Sequence, residues 1–124
     1  MKKYTFWIIT LIAVVGIPMG YWAWYMNEPG KYDSFASCIT DSGTTFYAAF
    51  WCPHCQAQKA LFGKSDKYLP YVECSQPSGQ GQLQICTDAN ITSYPTWQFA
   101  DGTRLMGEQS LEVLAEKTGC PLPG

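Results

Sequence analysis

The chain has 124 residues, enough for one domain, and its eight Lys and Arg residues stand against ten Asp and Glu residues. All of the basic residues except Lys2 and Lys3 lie beyond residue 27, where acidic residues outnumber them. This mild acidity, without a basic stripe, argues against nucleic acid as a partner.

The first 27 residues predict a membrane-spanning helix. After Met1-Lys2-Lys3 comes an uncharged stretch whose apolar part, residues 4–26, would be about 35 Å long at ~1.5 Å per helical residue. The hydrocarbon core of a bilayer is about 30 Å thick, so this stretch can span it with some tilt. Aromatic residues favour the headgroup boundary. Four of them cluster at the far end of the stretch: Tyr21, Trp22, Trp24 and Tyr25.

A cleavable signal peptide is the alternative interpretation of this segment. Signal peptides have an apolar region of about 7–15 residues and a small-x-small cleavage site, whereas this run is longer and ends in bulky aromatic residues. We therefore expect an uncleaved anchor at 1–27 and a separate domain at 28–124. Lys2 and Lys3 predict a cytoplasmic N-terminus by the positive-inside rule. The domain is then expected on the exported side, in a periplasm or a thylakoid lumen.

Helices and strands alternate along the rest of the chain. Helices are predicted from apolar periodicity at 31–39, 53–62, 83–89 and 111–118. Strands are predicted from β-branched and aromatic runs at 44–51, 71–74, 96–100 and 104–106. Ser110 is a candidate N-cap, and Gly63 and Gly119 are candidate helix stops. The order α-β-α-β-α-β-β-α predicts an α/β domain with a mixed sheet covered by helices.

The segment Trp51-Cys52-Pro53-His54-Cys55 lies where a predicted strand turns into a predicted helix. Cys52 would lie near the partial positive charge of the helix start, which stabilises the thiolate that attacks a disulfide. Cys55, one turn further, is expected to be more buried and to act as the resolving thiol. Pro53 suits a first helical turn, and His54, the only histidine, would stabilise the thiolate further as a cation. Because a stable thiolate favours the reduced pair, the motif predicts an oxidant more than a reductase.

Other functions of this motif match the sequence less well. A c-type haem site needs His directly after the second cysteine, where Gln56 stands. A structural zinc site usually needs a second close ligand pair, but Cys74 and Cys86 are separated by eleven residues. Capture of a metal such as copper by the motif stays open, as do a purely structural disulfide and a merely solvated histidine. The sequence has no phosphate-binding glycine motif and no nicotinamide or flavin fingerprint, so we expect electrons to move only between thiols.

From Cys38 to Cys120 the chain resembles the thioredoxin superfamily. The Cys-Pro-His-Cys motif matches its active site, in a form similar to that of bacterial periplasmic oxidants of the DsbA type. Tyr94-Pro95-Thr96 matches its cis-proline loop. A closer resemblance is to the thioredoxin-like domain fused to, or partnered with, bacterial vitamin K epoxide reductase homologues. Three segments carry that resemblance: 50–56, 71–74 and 94–97.

The resemblance implies a thioredoxin-like fold in which Pro95 is cis and faces the Cys52 sulfur. Tyr94 would shape the site where a client peptide pairs, and Trp51 would belong either to the core or to the rim of the active site. An ordinary trans proline is the alternative for Pro95. Thioredoxins also carry a buried acid six residues before the first active-site cysteine, where this chain has Phe46. Another group or water would then relay the proton of the resolving thiol.

Four cysteines lie outside the motif and allow three pairings. Because Cys74 ends the second strand and Cys86 lies in the next helix, these two could bridge the loop between them. Cys38 and Cys120 would then tie the first helix to the C-terminus. We expect structural disulfides, which an exported domain is free to form. The alternative is a second redox pair at Cys74–Cys86 that passes electrons to the active-site motif.

The leading functional hypothesis is an oxidant that introduces disulfides into exported client proteins. The resemblance suggests that a quinone-using vitamin K epoxide reductase homologue in the membrane reoxidises it. A reductase or isomerase, with electrons flowing the other way, is the alternative within the same enzyme class. A metal-binding module is the alternative from a different class.

Overall fold

The computed structural model describes residues 1–124, and its first element is a long apolar helix. This helix, α1 (Lys2–Asn27), is 26 residues long and includes a π-helical turn at Ile12–Gly16. None of its most apolar window is buried against the domain, and the mean hydropathy of that window is 1.8. By length and composition the helix could cross a membrane, as the sequence predicts.

Four short strands form one mixed sheet. They are β1 (Thr45–Ala48), β2 (Tyr71–Glu73), β3 (Thr96–Gln98) and β4 (Arg104–Met106). The strand order is β2-β1-β3-β4, with β1 parallel to β2 and antiparallel to β3. The helices of the domain are α2 (Asp33–Asp41), α3 (Pro53–Ala60), α4 (Gln84–Asp88) and α5 (Leu111–Thr118). The predicted fold class, a mixed sheet covered by helices and preceded by an apolar helix, is confirmed.

The core is built around two aromatic rings from neighbouring strands. Phe46 on β1 and Trp97 on β3 are fully buried, and their stacked rings have centroids 4.3 Å apart. Phe35 and Ile39 reach the same core from the predicted apolar face of α2, and Leu114 reaches it from α5. Burial of each large apolar side chain contributes roughly 1.5–3 kcal/mol. These contacts hold the sheet and helices that position the candidate site.

The predicted first strand is wrong in its second half, because β1 ends at Ala48. The chain turns there, and the N–H of Cys52 donates to the carbonyl of Ala49 at 3.1 Å. Phe50 and Trp51 are 50% and 49% exposed. Aromatic residues favour strands because they fit a half-buried pleated surface. Phe50 and Trp51 are half-buried on a loop at the edge of the sheet instead, so their strand propensity predicts a strand that is too long.

The predicted helix at 53–62 is also too long. It ends at Ala60, and a 3₁₀ helix, Gly63–Tyr68, follows. Gly63 has a φ of +55°, a conformation that glycine adopts at little steric cost. The α-helix thus ends three residues before the expected stop, and Gly63 begins a tighter helix that was not predicted from the sequence.

The other elements agree with the predictions to within two residues. α2 is shifted two residues toward the C-terminus, and β2 and β3 end one and two residues earlier than predicted. The last helix has the predicted bounds. The hydroxyl of Ser110 accepts a hydrogen bond from the N–H of Val113 at 3.2 Å, and Gly119 has a φ of +73° after the last turn. Both predicted ends of this helix are confirmed.

Two disulfides join Cys38 to Cys120 and Cys74 to Cys86. The first ties α2 to the C-terminal tail, and the second ties the end of β2 to α4. These are the two pairings that the order of elements predicts. They staple a small domain that buries only a limited fraction of its surface.

We expect the Cys38–Cys120 disulfide to be the larger covalent contribution to stability. It spans a sequence separation of 82, against 12 for Cys74–Cys86. Constraining the unfolded chain over so long a loop is worth about 4 kcal/mol. Replacement of Cys38 and Cys120 with alanine should lower the free energy of unfolding by that amount, measured by urea unfolding with tryptophan fluorescence. The matched Cys74→Ala, Cys86→Ala variant should lose about 3 kcal/mol; a larger loss there would contradict the ranking.

Candidate active site

Cys52 caps the N-terminus of α3. Its backbone is extended (φ −77°, ψ 119°), and its sulfur accepts a hydrogen bond from the N–H of Cys55 at 3.3 Å. Pro53 follows in the first helical turn, where its missing N–H costs little and its fixed φ suits the helix. Free N–H groups and the partial positive charge of a helix N-terminus stabilise an anion. Cys52 therefore lies in the kind of electropositive position at which reactive cysteines are found.

Cys55 lies one turn into α3 and has a different environment. It is 1% exposed, against 5% for Cys52, and both carry free thiols in this structure. Burial raises the pKa of the Cys55 thiol to about 12, and its hydrogen bond to Cys52 raises the pKa as well. Cys55 is therefore protonated at neutral pH. The two thiols are chemically unequal, which fits one as the attacking group and the other as the resolving group.

The loop before β3 closes over the Cys52 sulfur. The Tyr94–Pro95 peptide bond is cis, and the Cys52 thiol donates to the Tyr94 carbonyl at 3.8 Å. The hydroxyl of Tyr94 accepts a hydrogen bond from the side-chain amide of Gln82 at 2.7 Å. The structure thus brings the motif and the proline loop together across more than forty residues of sequence, with the Tyr94 carbonyl next to the reactive sulfur.

Trp51 belongs to the rim of this site. Its ring is half exposed and meets the Tyr94 ring edge-on, with centroids 6.1 Å apart. Its indole N–H donates to the hydroxyl of Ser75 at 2.8 Å. Both the core and the rim were compatible with the sequence, and the structure places Trp51 at the rim. Trp97, by contrast, is fully buried.

His54 is paired with a residue that the sequence analysis missed. Its Nδ1 lies 2.9 Å from the carboxylate oxygen Oε1 of Glu108, in the loop between β4 and α5. The His54 side chain is 74% exposed. The carboxylate places a negative charge beside the His54 ring, two residues after Cys52. Because the two residues are 54 positions apart, no local sequence signal could have revealed the pair.

A buried glutamine fixes the loop that carries Glu108. Gln58 on α3 is fully buried, and its side-chain oxygen accepts hydrogen bonds from the N–H of Gln109 at 2.6 Å and from the indole of Trp97 at 3.3 Å. Its amide nitrogen donates to the Gln109 carbonyl at 2.9 Å. The active-site helix, the core tryptophan and the loop are thereby joined by one side chain.

The Cys74–Cys86 disulfide lies in a second small cluster, against which Tyr94 also packs. Cys74 and Cys86 are fully buried with Ile91 in a separate small cluster, so an external thiol cannot reach their sulfurs. That burial favours a structural role for this disulfide over electron relay. No three His, Cys, Asp or Glu side chains lie close enough to hold a metal ion. His54 is paired with Glu108 in this structure.

No protein-family model matches the chain. Among curated proteins the chain is similar to the thiol-disulfide oxidoreductase LTO1 of Arabidopsis thaliana, with 42% identity over 93 residues. The match covers 72% of this chain and 24% of that protein, so the chain spans about a quarter of the length of this relative. This similarity confirms the expected relationship to a thiol-disulfide oxidoreductase.

We expect Glu108→Gln to increase the reactivity of Cys52. Removal of the carboxylate takes away a negative charge beside His54, two residues after Cys52, and so reduces the repulsion of an anionic attacking sulfur. An exposed ion pair is worth at most about 1 kcal/mol, so the rate of Cys52 alkylation by iodoacetamide at pH 7 should rise by less than about fivefold. Glu112→Gln, at an exposed position on α5, is the matched control and should leave the rate unchanged. A slower reaction in Glu108→Gln would contradict this assignment.

Proposed function

We propose that this chain is a membrane-anchored thiol–disulfide oxidoreductase in which Cys52 is the reactive thiol and Cys55 the resolving thiol. One observation carries the proposal: the Cys52 sulfur caps a helix N-terminus, faces the Tyr94 carbonyl, and lies next to the buried thiol of Cys55. The similarity to a protein named for this chemistry supports it.

The proposed reaction begins with the oxidised Cys52–Cys55 pair. A client thiolate attacks the Cys52 sulfur, so a Cys52–client bond forms, the Cys52–Cys55 bond breaks, and the Cys55 sulfur takes up a proton. A second client thiolate then attacks the first client sulfur and releases Cys52 as a thiolate, which the N–H of Cys55 stabilises. The client gains one disulfide, and the enzyme is left as the dithiol.

We infer that the net direction is oxidation of clients. The helix N-terminus stabilises the Cys52 thiolate and therefore the reduced form of the pair, which makes the disulfide the stronger oxidant. Reoxidation is assigned to a quinone-using membrane protein of the vitamin K epoxide reductase type, on the strength of the sequence resemblance. A reductase or isomerase uses the same thiols with the opposite flow of electrons, so the reduction potential separates the two.

We propose that α1 stays uncleaved, with its N-terminus in the cytoplasm and the domain in a periplasm or a thylakoid lumen. Lys2 and Lys3 support this orientation. The two disulfides support an oxidising compartment, since such bonds are rare in the cytosol. An anchor would also raise the effective concentration of the domain near a membrane partner.

The reduction potential of the Cys52–Cys55 pair tests the direction. Strong oxidants have potentials of about −120 mV and thioredoxin about −270 mV, a gap on the order of 7 kcal/mol. For the full-length protein in detergent micelles, equilibrated with glutathione buffers, we expect a value nearer the oxidising reference. The two structural disulfides should be followed separately by mass spectrometry. A value near that of thioredoxin would make the protein a reductase.

Trapping of clients tests the roles of the two thiols. Cys55→Ser leaves Cys52 as a lone thiol whose thiolate can attack a disulfide in a client protein, so that a Cys52–client bond forms, the client disulfide breaks, and the second client sulfur leaves as a thiolate. These mixed disulfides should accumulate, because no Cys55 thiol remains to attack the Cys52 sulfur and release the client. Non-reducing electrophoresis of membranes that contain the variant should show these adducts, and mass spectrometry should place them on Cys52. The matched Cys52→Ser variant should form none and should lose activity. Adducts attached to Cys55 instead would overturn the assignment of the nucleophile.

A further inference from the structure

One loop holds two aromatic rings of the active site. This disulfide loop, residues 75–85, is closed by the bond between Cys74 and Cys86. Within it, Ser75 and Gln82 form an antiparallel bridge. The loop is therefore held at its base by a covalent bond and just above the base by backbone pairing.

The side-chain amide of Gln82 ties the disulfide loop to the loop before β3. Its nitrogen donates to the carbonyl of Ile91 at 3.0 Å and to the hydroxyl of Tyr94 at 2.7 Å. Its oxygen accepts a hydrogen bond from the hydroxyl of Thr87 at 3.0 Å. Because a carbonyl can only accept, the contact with Ile91 sets the orientation of the amide. Gln82 therefore fixes the side chain of Tyr94, whose own carbonyl lies 3.8 Å from the Cys52 sulfur.

The disulfide loop also supports the neighbouring ring. The hydroxyl of Ser75 accepts the indole N–H of Trp51 at 2.8 Å. At the tip of the loop, a Cβ on Gly79 would lie 3.9 Å from the rings of Phe50 and Trp51, which is ordinary van der Waals contact. Trp51 in turn meets Tyr94 edge-on, with ring centroids 6.1 Å apart. The loop thus holds the Trp51 and Tyr94 side chains, each by a hydrogen bond from or to its polar atom.

The aromatic surface formed in this way lies beside the reactive sulfur. Phe50 and Trp51 are half exposed and Tyr94 is partly exposed, whereas Cys52 is buried. Exposed apolar patches mark interaction sites, and Trp and Tyr are enriched among the residues that dominate binding energy at protein interfaces. A small thiol needs only the sulfur, but a polypeptide whose cysteine reaches Cys52 also contacts the surface around it. The surface fits a client with an apolar side chain next to its cysteine.

We propose that Gln82 is a positioning residue that fixes Tyr94 for the binding of polypeptide clients with an apolar side chain beside the reacting cysteine. This inference rests on the proposed function and deepens it. Gln82 contacts none of the sulfurs between which bonds form and break, and the thiol–disulfide exchange is unchanged. It acts on the binding step, because a Tyr94 side chain that is already held in place does not have to be ordered when the client binds.

The test is a single-turnover reaction of the oxidised full-length protein in detergent micelles with a synthetic peptide that has two cysteines, each next to a phenylalanine. The peptide loses two electrons and two protons to form its disulfide, and the Cys52–Cys55 disulfide gains them to become the dithiol. Acid quenching and chromatography measure the peptide disulfide, and the rate is followed against peptide concentration. Dithiothreitol, a small dithiol without an apolar side chain, is the comparison substrate.

Gln82→Leu keeps a side chain of similar size and removes the amide. We expect its second-order rate constant with the peptide to fall about fivefold, the factor that corresponds to the loss of one hydrogen bond. The limiting rate at high peptide concentration and the rate with dithiothreitol should stay unchanged. The matched control Gln80→Leu, at an exposed position of the same loop, should behave as the wild type with both substrates. An unchanged rate constant of Gln82→Leu with the peptide would overturn the proposal.

Tyr94→Phe tests the same contact from its other side. It removes the hydroxyl that Gln82 holds, so it should reproduce the effect of Gln82→Leu, and the double variant should show no further loss. Losses that add in the double variant, or equal losses with peptide and dithiothreitol in both single variants, would show that Gln82 does not act through the binding of clients at Tyr94.

Two further comparisons separate the proposals. A peptide with serine in place of each phenylalanine should react more slowly with the wild type, and equal rates for the two peptides would contradict the client class. If the wild type oxidises neither the peptides nor dithiothreitol, the proposed function itself fails. Normal oxidation of both by the wild type, with no effect of Gln82→Leu, contradicts only the role of Gln82.

Discussion

The site depends on the pairing of β1 with a parallel neighbour on one side and an antiparallel neighbour on the other. In that arrangement the C-terminal ends of β1 and β2 and the N-terminal end of β3 meet at one edge of the sheet. Cys52 follows β1, Glu73 ends β2, and Pro95 precedes β3. Three segments far apart in sequence therefore converge, and ordinary backbone hydrogen bonds hold them there.

The same arrangement makes the two cysteines of the motif unequal. A helix must leave the sheet edge after β1, and its first residue presents a sulfur to free N–H groups, while the residue one turn later points into the core. The helix-capping position of the Cys52 sulfur and the burial of the Cys55 thiol are thus consequences of a single strand-to-helix turn. The different environments of Cys52 and Cys55 therefore follow from their positions at the start of the helix.

Features set by local physics could be predicted from the sequence. The apolar helix, the order of elements, the Ser110 cap and the Gly119 stop each depend on a few neighbouring residues. The early end of β1 and the 3₁₀ helix could not, because half-exposed aromatic residues satisfy strand and loop equally well and Gly63 permits more than one continuation. The partners of the site were also missed. Glu108 lies 54 residues from His54 and Glu73 lies 23 from Phe50, distances at which a single sequence carries no pairing signal.

The core beneath the site is apolar, so the carboxylate nearest to the active-site loop lies at the edge of the sheet. Phe46, at the position where thioredoxins carry a buried acid, is stacked on Trp97 with no exposed surface. An ionised carboxylate at that depth would lose its hydration with few partners to replace it, which is costly. Glu73 at the sheet edge is only half-buried and receives hydrogen bonds from Phe50, Ser75 and Tyr71. A carboxylate is therefore less costly to hold at the edge of the sheet than in the core, while the stacked rings keep the packing that fixes the strands.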